Sequence, residues 1–371
     1  MLITTVDQLQ EILAAIREAG SVAVDTEFVW QRTYHPCLGI VQLALPGGQV
    51  HLIDAVALPR LDGLGAILAH PDIELILHDA LQDLQILSRH TGARPRNVFD
   101  TRRAAGFAGQ QSTISLINLL RTMLTIEITK DETRSDWLQR PLSETQAEYA
   151  RADVLYLHEL TATLKTAAAD RGNTDALVEE MRRYDDPAQY ATTTVDNLYS
   201  RIRTARMPHE TRAVLYTLLR WREDEAMARD RPRGHIIKDA DLMQIAITLG
   251  GAQPAHTPLP KRYAAEIHEA VRQAQTLTPE SLPPSECNMR LPADTKKQIE
   301  ERRKQIEKHA VSAQIDPALV ANKTEVTALV LHELGLGPPP APHLTYGWRA
   351  PITTSPTPAP STKQTTFPLG V

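Results

Sequence analysis

SVAVDTEF, residues 21–28, decides the fold of this chain. It is a β-rich run whose apolar members Val22, Ala23 and Val24 continue into Phe28 and Val29, the composition of a central, buried strand. Asp25 and Glu27 interrupt it near its end. Residues two apart in a strand point to one face, with Cα atoms about 6–7 Å apart. Two carboxylates so placed repel each other and resist desolvation unless a cation neutralises them. The alternative is a solvated pair at the strand's mouth, or one carboxylate capping a turn.

Working outward, the segment before this strand reads as a helix. Thr5 and Gln8 have capping-box spacing, Ile12, Leu13 and Ile16 recur on one face, and Gly20 marks the stop. After it, GIVQLALP and QVHLIDA flank Pro46-Gly47-Gly48, a hairpin signal. Residues 58–70 have helical spacing that Pro71 ends, ELILH (74–78) is a short buried strand, and NVFDT (97–101) is another. From about residue 102 to 170 the pattern is helical, broken by the polar DETRSDW stretch. The expected unit is an α/β domain, residues 1–195, with a mixed five-stranded sheet.

Two further elements carry acids beside apolar stripes. In HDALQDLQIL the stripe is Ala80, Leu84 and Leu87, and Asp83 borders it. Asp79 stands nearer that helix's N-terminus, where negative charge is favoured. Ser143 and Gln146 repeat the capping-box spacing, and in the helix they open, Tyr149 and Asp153 are i, i+4 and share a face. Each signal alone fits an ordinary solvated surface. Together they place four carboxylates and a phenol on three elements of one domain. Four carboxylates suit two hard divalent cations, Mg²⁺ or Mn²⁺, and such ions about 3.5–4 Å apart clamp a phosphodiester displacement.

Composition removes several rivals. The 371 residues carry 40 Lys/Arg and 45 Asp/Glu, a net charge of −5. Charge is segregated: residues 1–150 hold 12 basic and 18 acidic side chains, and residues 201–235 hold nine Arg and five acids. The chain has no Gly-Lys dipeptide, hence no P-loop and no nucleotide cofactor of that kind, and neither GxGxxG nor HExxH. Two cysteines, Cys37 and Cys287, cannot form a four-thiolate zinc site. With no signal peptide and no apolar run of bilayer length, the expected location is the cytoplasm, away from membranes. Asp185-Asp186-Pro187 and ATTT (191–194) read as a linker. Helical segments are expected at 203–285 and 290–337, separated near Pro283-Pro284. Nine of the last 34 residues, 338–371, are Pro and seven are Thr, so this tail is expected to be disordered.

VDTEF, HDALQD and YARAD, in that order, resemble the three exonuclease motifs of the DEDD superfamily, and the Tyr four residues before the last Asp is similar to the DEDDy subgroup. VAVDTEFVWQRTY, VFDTRRAA and SDWLQRPLSETQAEYARADVLYL resemble the ribonuclease D family over about residues 5–165. LLRWREDEAMARDRPRGHIIKDADLMQIA is similar to the helicase-and-RNase-D C-terminal (HRDC) domain, and DPALVANKTEVTALV to a second, smaller domain of that type. The chain departs from the family pattern in the hairpin and at Asp79.

The resemblance implies a ribonuclease H-like α/β exonuclease domain, then two all-α HRDC-type domains and the tail. It implies a 3′→5′ exoribonuclease that needs two divalent ions and releases 5′-mononucleotides, with tRNA precursors and small structured RNAs as substrates. It makes Asp25, Glu27, Asp83 and Asp153 the metal carboxylates, with Tyr149 positioning the attacking water. A tyrosine pKa near 10 suits positioning better than proton removal. It also sets His78 next to the substrate. Phe28, Trp30 and Tyr34 could stack on terminal bases. Arg201, Arg203, Arg206, Arg229, Arg231 and Arg233 could meet phosphates, or be merely solvated. Trp221 fits a helical core. The alternatives are a DEDDy DNA exonuclease, since no motif displays a 2′-OH contact, and an RNA-binding module whose site has decayed, which the presence of all five residues opposes.

Overall fold

The computed structural model describes residues 2–128, 135–204, 206–251, 259–283 and 291–354. Its sheet has six strands: β1 (Leu2–Ile3), β2 (Ser21–Val29), β3 (Cys37–Ala44), β4 (Val50–Asp54), β5 (Glu74–Leu77) and β6 (Val98–Asp100), in the order β1-β4-β3-β2-β5-β6. β2–β3 and β3–β4 are antiparallel, and β1–β4 and β2–β5 are parallel. The sheet is mixed, as expected, but the expected five strands are six. Leu2 and Ile3 pair with Leu52 and Ile53 at the edge. Two residues are too few to show a period of two, so sequence patterning has no purchase on β1.

The local signals act as expected. Helix α1 (Val6–Ala19) opens on the Thr5–Gln8 capping box, and Gly20 closes it at φ 67°. Gly47 and Gly48 turn the β3–β4 hairpin at φ 87° and 84°, a conformation that glycine adopts without steric cost. β2 is central because β3 and β5 both pair with it. Its Val22, Ala23 and Val24 are fully buried.

The chain forms two compact units, each discontinuous in sequence. The first comprises Met1–Val98, Ile128–His158 and Tyr184–Leu291. It holds most of the sheet, α2 (Asp62–Leu68), α3 (Leu81–Thr91), and after α4 (Thr101–Ala105) and α5 (Leu116–Leu124) of the other unit, α6 (Glu144–Leu155). α7 (Leu157–Ala169) and α8 (Thr174–Met181) follow. The first unit resumes with α9 (Val195–Ser200), α10 (His209–Ala228), α11 (Arg233–Ile236), α12 (Asp239–Leu249) and α13 (Ala264–Ala274). α10 buries Ala213, Val214, Leu215, Tyr216, Leu218 and Leu219, which together run right round its axis. Its two middle turns are thus buried on all sides, although both ends carry charged residues, and α9, α11, α12 and α13 pack on it. Trp221 packs against this core and meets Tyr263 edge-on, the expected structural role.

The second unit comprises Phe99–Glu127, Glu159–Arg183 and Pro292–Val371. It includes α14 (Ala293–Ser312), α15 (Pro317–Val320), α16 (Lys323–Glu333) and α17 (Ala350–Thr353). Its centre is the buried Glu180, which accepts from Arg103, from Arg183 at 2.9 Å, from Arg349 at 2.8 Å and from the Trp348 indole at 3.2 Å. The expectation of a disordered tail from Pro338 is therefore corrected. Residues 342–353 form short helical turns and bury Leu344, Arg349, Ile352 and Thr353. Counting Pro and Thr over the whole stretch hid these anchors. The rest of that expectation, at 355–371, lies outside the described residues, as does Pro284 of the proposed boundary. Among the described residues no helix is long and apolar enough to cross a membrane.

Candidate active site

Cross-strand register places the first two carboxylates. Asp25 pairs with Gln42 and Glu27 with Ile40. Residues opposed in an antiparallel pair share a face, so Asp25, Glu27, Ile40 and Gln42 look the same way. The register slips between Glu27 and Phe28, a bulge that ends regular pairing beside the acids. Gln42 is fully buried and its Nε2 reaches 3.5 Å from Asp25 Oδ2.

α6 covers this face. Ser143 and Gln146 form the expected capping box, and Ala150 and Val154 are fully buried. That orientation carries Tyr149 and Asp153 to the carboxylates. Carboxylate oxygens of Asp25, Glu27 and Asp153 lie within 4.8 Å of one another. Tyr149 is hydrogen-bonded to Asp153, and its ring lies 5.9 Å from that of Trp137. Trp137, in the stretch the sequence marks as polar, is only 2% exposed and packs with Ile40, Leu52 and Ala150.

Asp83 lies at the edge of that cluster, outside the 4.8 Å group but near enough for its charge to act on Asp25. It is buried in the first turn of α3 and accepts a short bond from the Thr26 hydroxyl, the residue between Asp25 and Glu27. Asp79 precedes it in the left-handed region at φ 64°, which aspartate tolerates better than most residues. Sequence reading missed Thr26, Gln42 and Trp137. Gln42 had a signal, a lone amide within an apolar strand.

The electrostatics test whether cations fit. Burial, then Asp83, Asp153 and Glu27, push the Asp25 carboxyl well above its usual range. Burial pushes Asp83 up to about 7 against the Thr26 bond. Acids so crowded and desolvated either hold protons or hold a cation. All offer hard oxygen ligands, so the donor set fits Mg²⁺ or Mn²⁺. Burial, Asp153 and Glu27 also raise Tyr149, which keeps its phenol protonated.

The expected substrate residues divide. Phe28 is half-buried and meets Trp30 edge-on at 6.3 Å, and Trp30 is 58% exposed. His78 is half-buried just past β5. Tyr34 is tied inward, its hydroxyl donating to Glu223 at 2.9 Å. Arg233 pairs with Glu223 at 3.0 Å and Arg229 with Glu225, so both spend charge inside the protein. Arg201, Arg203, Arg206 and Arg231 are exposed, with no ion pair among the described residues. A cavity of about 660 Å³ in the first unit is lined by Trp30, Tyr34, His35, Arg89 and Arg233, but by none of the carboxylates.

The comparisons agree with this architecture. A 3′–5′ exonuclease family model matches residues 1–169. The chain is 35% identical over 356 residues to a ribonuclease D of Desulfotalea psychrophila, covering 94% of this chain and 95% of that protein. It is 32% identical over 359 residues to that of Gluconacetobacter diazotrophicus, covering 94% and 89%. The crystal structure of Escherichia coli RNase D, an exoribonuclease involved in structured RNA processing, matches with a TM-score of 0.83 at 28% identity, covering 95% of this chain and 96% of that one.

Proposed function

The chain belongs to the ribonuclease D family, and from that premise we propose how its residues carry out 3′→5′ exoribonuclease chemistry. Asp25, Glu27, Asp83 and Asp153 are the proposed ligands of two divalent cations. The observation that carries this is the convergence of Asp25, Glu27 and Asp153 from β2 and α6 within 4.8 Å. Asp25, crowded by Asp83, Asp153 and Glu27, would hold cations from β2, and Asp83 would complete the set from α3. Bound cations supply positive charge to the attacked phosphodiester and its leaving oxygen.

The rest is the work of the chain. Tyr149, protonated and bonded to Asp153, holds the attacking water in line. Gln42 and Thr26 fix Asp25 and Asp83 by donating to them. Phe28 and Trp30 offer faces for the terminal bases, and His78 lies beside the substrate. Stacking is indifferent to base identity, which suits stepwise removal of successive nucleotides. Residues 203–285 and 290–337 are proposed as HRDC-type modules, with Arg201, Arg203 and Arg231 meeting the body of the RNA. tRNA precursors and other small structured RNAs are the proposed substrates, with maturation of tRNA 3′ ends as the role.

The test is direct. Purified protein is incubated with matched 3′-labelled RNA and DNA in Mg²⁺, Mn²⁺ or EDTA. Labelled 5′-mononucleotide should appear from RNA with metal and not in EDTA, and Asp25→Asn should abolish it. Mononucleotide release that survives complete chelation, or that Asp25→Asn leaves intact, would place the chemistry elsewhere. Preferential release from DNA would overturn the substrate assignment.

A further inference from the structure

Arg140 lies outside the carboxylate cluster, yet every N–H of its guanidinium is engaged. Nε donates to Asp54 Oδ2 at 2.6 Å. Nη2 donates to Asp54 Oδ1 at 2.7 Å and to the Gly39 carbonyl at 2.9 Å. Nη1 donates to the Trp137 carbonyl at 2.9 Å and to that of Gln139 at 2.8 Å. An arginine has five such hydrogens, and this environment accepts all five. Asp54 closes β4 and is 4% exposed, so the fork grips the sheet with one edge and the 137–139 backbone with the other.

The grip is close. A Cβ added to Gly39 would fall 2.4 Å from the Trp137 carbonyl oxygen, so this backbone rests against β3 where only glycine leaves room. The same stretch is tied to the start of α6, where Gln146 bonds Ser143 N at 2.9 Å and reaches the Asp136 carbonyl at 3.5 Å. Its ordered product is the Trp137 ring, wedged between Ile40, Leu52 and Ala150 and tilted 38° against Tyr149.

We propose that Arg140 is a positioning residue for hydrolysis: by clamping the Trp137 backbone to β3 and β4, it sets the place from which Tyr149 holds the water. Stability alone explains the arrangement poorly. A buried ion pair is often no better for stability than packed apolar side chains. What a bidentate fork provides is direction, and lysine, a point charge on a flexible stem, cannot reproduce five bonds in one plane. The proposal rests on the reading of Tyr149 as the residue that places the water.

The experiment is a double-mutant cycle on the full chain, with a short 3′-labelled oligoribonucleotide and saturating Mg²⁺. Arg140→Lys should lower kcat by about 10–100-fold, the scale of a misplaced catalytic group, with KM within about twofold of wild type. In a Tyr149→Phe background the same substitution should change kcat by less than about twofold, because the group it places is already gone. The near-UV circular dichroism of Arg140→Lys should change in the tryptophan region. Trp137→Phe serves as the second variant should Arg140→Lys fold poorly, and its kcat loss should likewise vanish in the Tyr149→Phe background. Losses of equal factor in both backgrounds would overturn the proposal and leave the Tyr149 reading intact. A Tyr149→Phe enzyme with wild-type kcat would overturn both.

Discussion

Tyr149 shares its surroundings with Asp153 and Glu27, and both, with burial, hold its phenol in the neutral form. A neutral phenol positions by hydrogen bonding. Tyr149→Phe should therefore lower kcat by about 10²-fold while RNA affinity changes little, measured by single-turnover kinetics and filter binding. Wild-type kcat would reduce the pair to a structural role. The carboxylates make a second prediction. Asp25 and Asp83 titrate above the ordinary aspartate value, with Asp83 at about 7. Between about pH 4 and 7 the folded, metal-free protein then binds more protons than the unfolded chain, so its stability falls as pH rises through this window. Thermal melts in EDTA should show Tm declining from pH 5 to 8. Mg²⁺ should remove the decline and Asp25→Asn should flatten it. An Asp25→Asn variant with an unchanged slope would show that the repulsion does not act on stability.

At the scale of elements, β2 and α6 together carry the acid cluster, and their own apolar residues decide how they meet. The Glu180 cluster does comparable work in the second unit, gathering Arg103, Arg183 and Arg349 from α4, the turn after α8 and the start of α17. Burial alone would raise Glu180, but the three guanidinium groups outweigh it and hold its carboxyl below the usual range. Glu180→Gln leaves Arg349, 9% exposed, without its charge partner. The variant should lose about 3–5 kcal/mol near neutral pH by denaturant titration. Because the native pKa is depressed, this contribution is present above about pH 4.3 and is lost as pH falls through the native value. The gap between variant and wild type should accordingly close in acid. A gap that stays constant down to about pH 3, below the ordinary glutamate value, would assign the effect to shape and not to charge.

For the whole molecule, deletion is a poor probe of the helical half. Cutting near residue 200 would remove the partners of the fully buried Tyr199 and strip α14–α17 from the second unit. Charge substitution in the full chain is cleaner. The excess of four positive charges over residues 201–235 already includes the Arg229–Glu225 and Arg233–Glu223 pairs, and Arg222 pairs outside the stretch with Asp239, which lowers the uncompensated excess to three. Arg201, Arg203 and Arg231, like Arg206, are exposed with no ion pair among the described residues and can meet a polyanion. Replacing all three with Gln should weaken binding of a structured tRNA precursor and flatten its salt dependence, by about 0.7–0.9 in log–log slope for each phosphate left unneutralised. Hydrolysis of a short single strand should be nearly unchanged. An unaltered slope would mean that these arginines are only solvated.

Local chemistry in the sequence determined much of this protein. Capping boxes at Thr5 and Ser143, the Pro-Gly-Gly turn and the acids punctuating an apolar strand act over three or four residues, so one stretch of chain suffices to read them. The spacing of Tyr149 and Asp153 likewise follows from helix geometry. The tertiary structure alone decided which acids converge, because register and helix docking depend on residues far apart in the chain. It drew Asp25, Glu27 and Asp153 into one cluster and left Asp83 at its edge on Thr26. It buried Trp137 within a polar stretch and consumed Arg229 and Arg233 in ion pairs. It also added a two-residue strand and ordered residues 342–353 against composition. In each case the deciding energy came from packing or pairing with a distant segment, which no local pattern records.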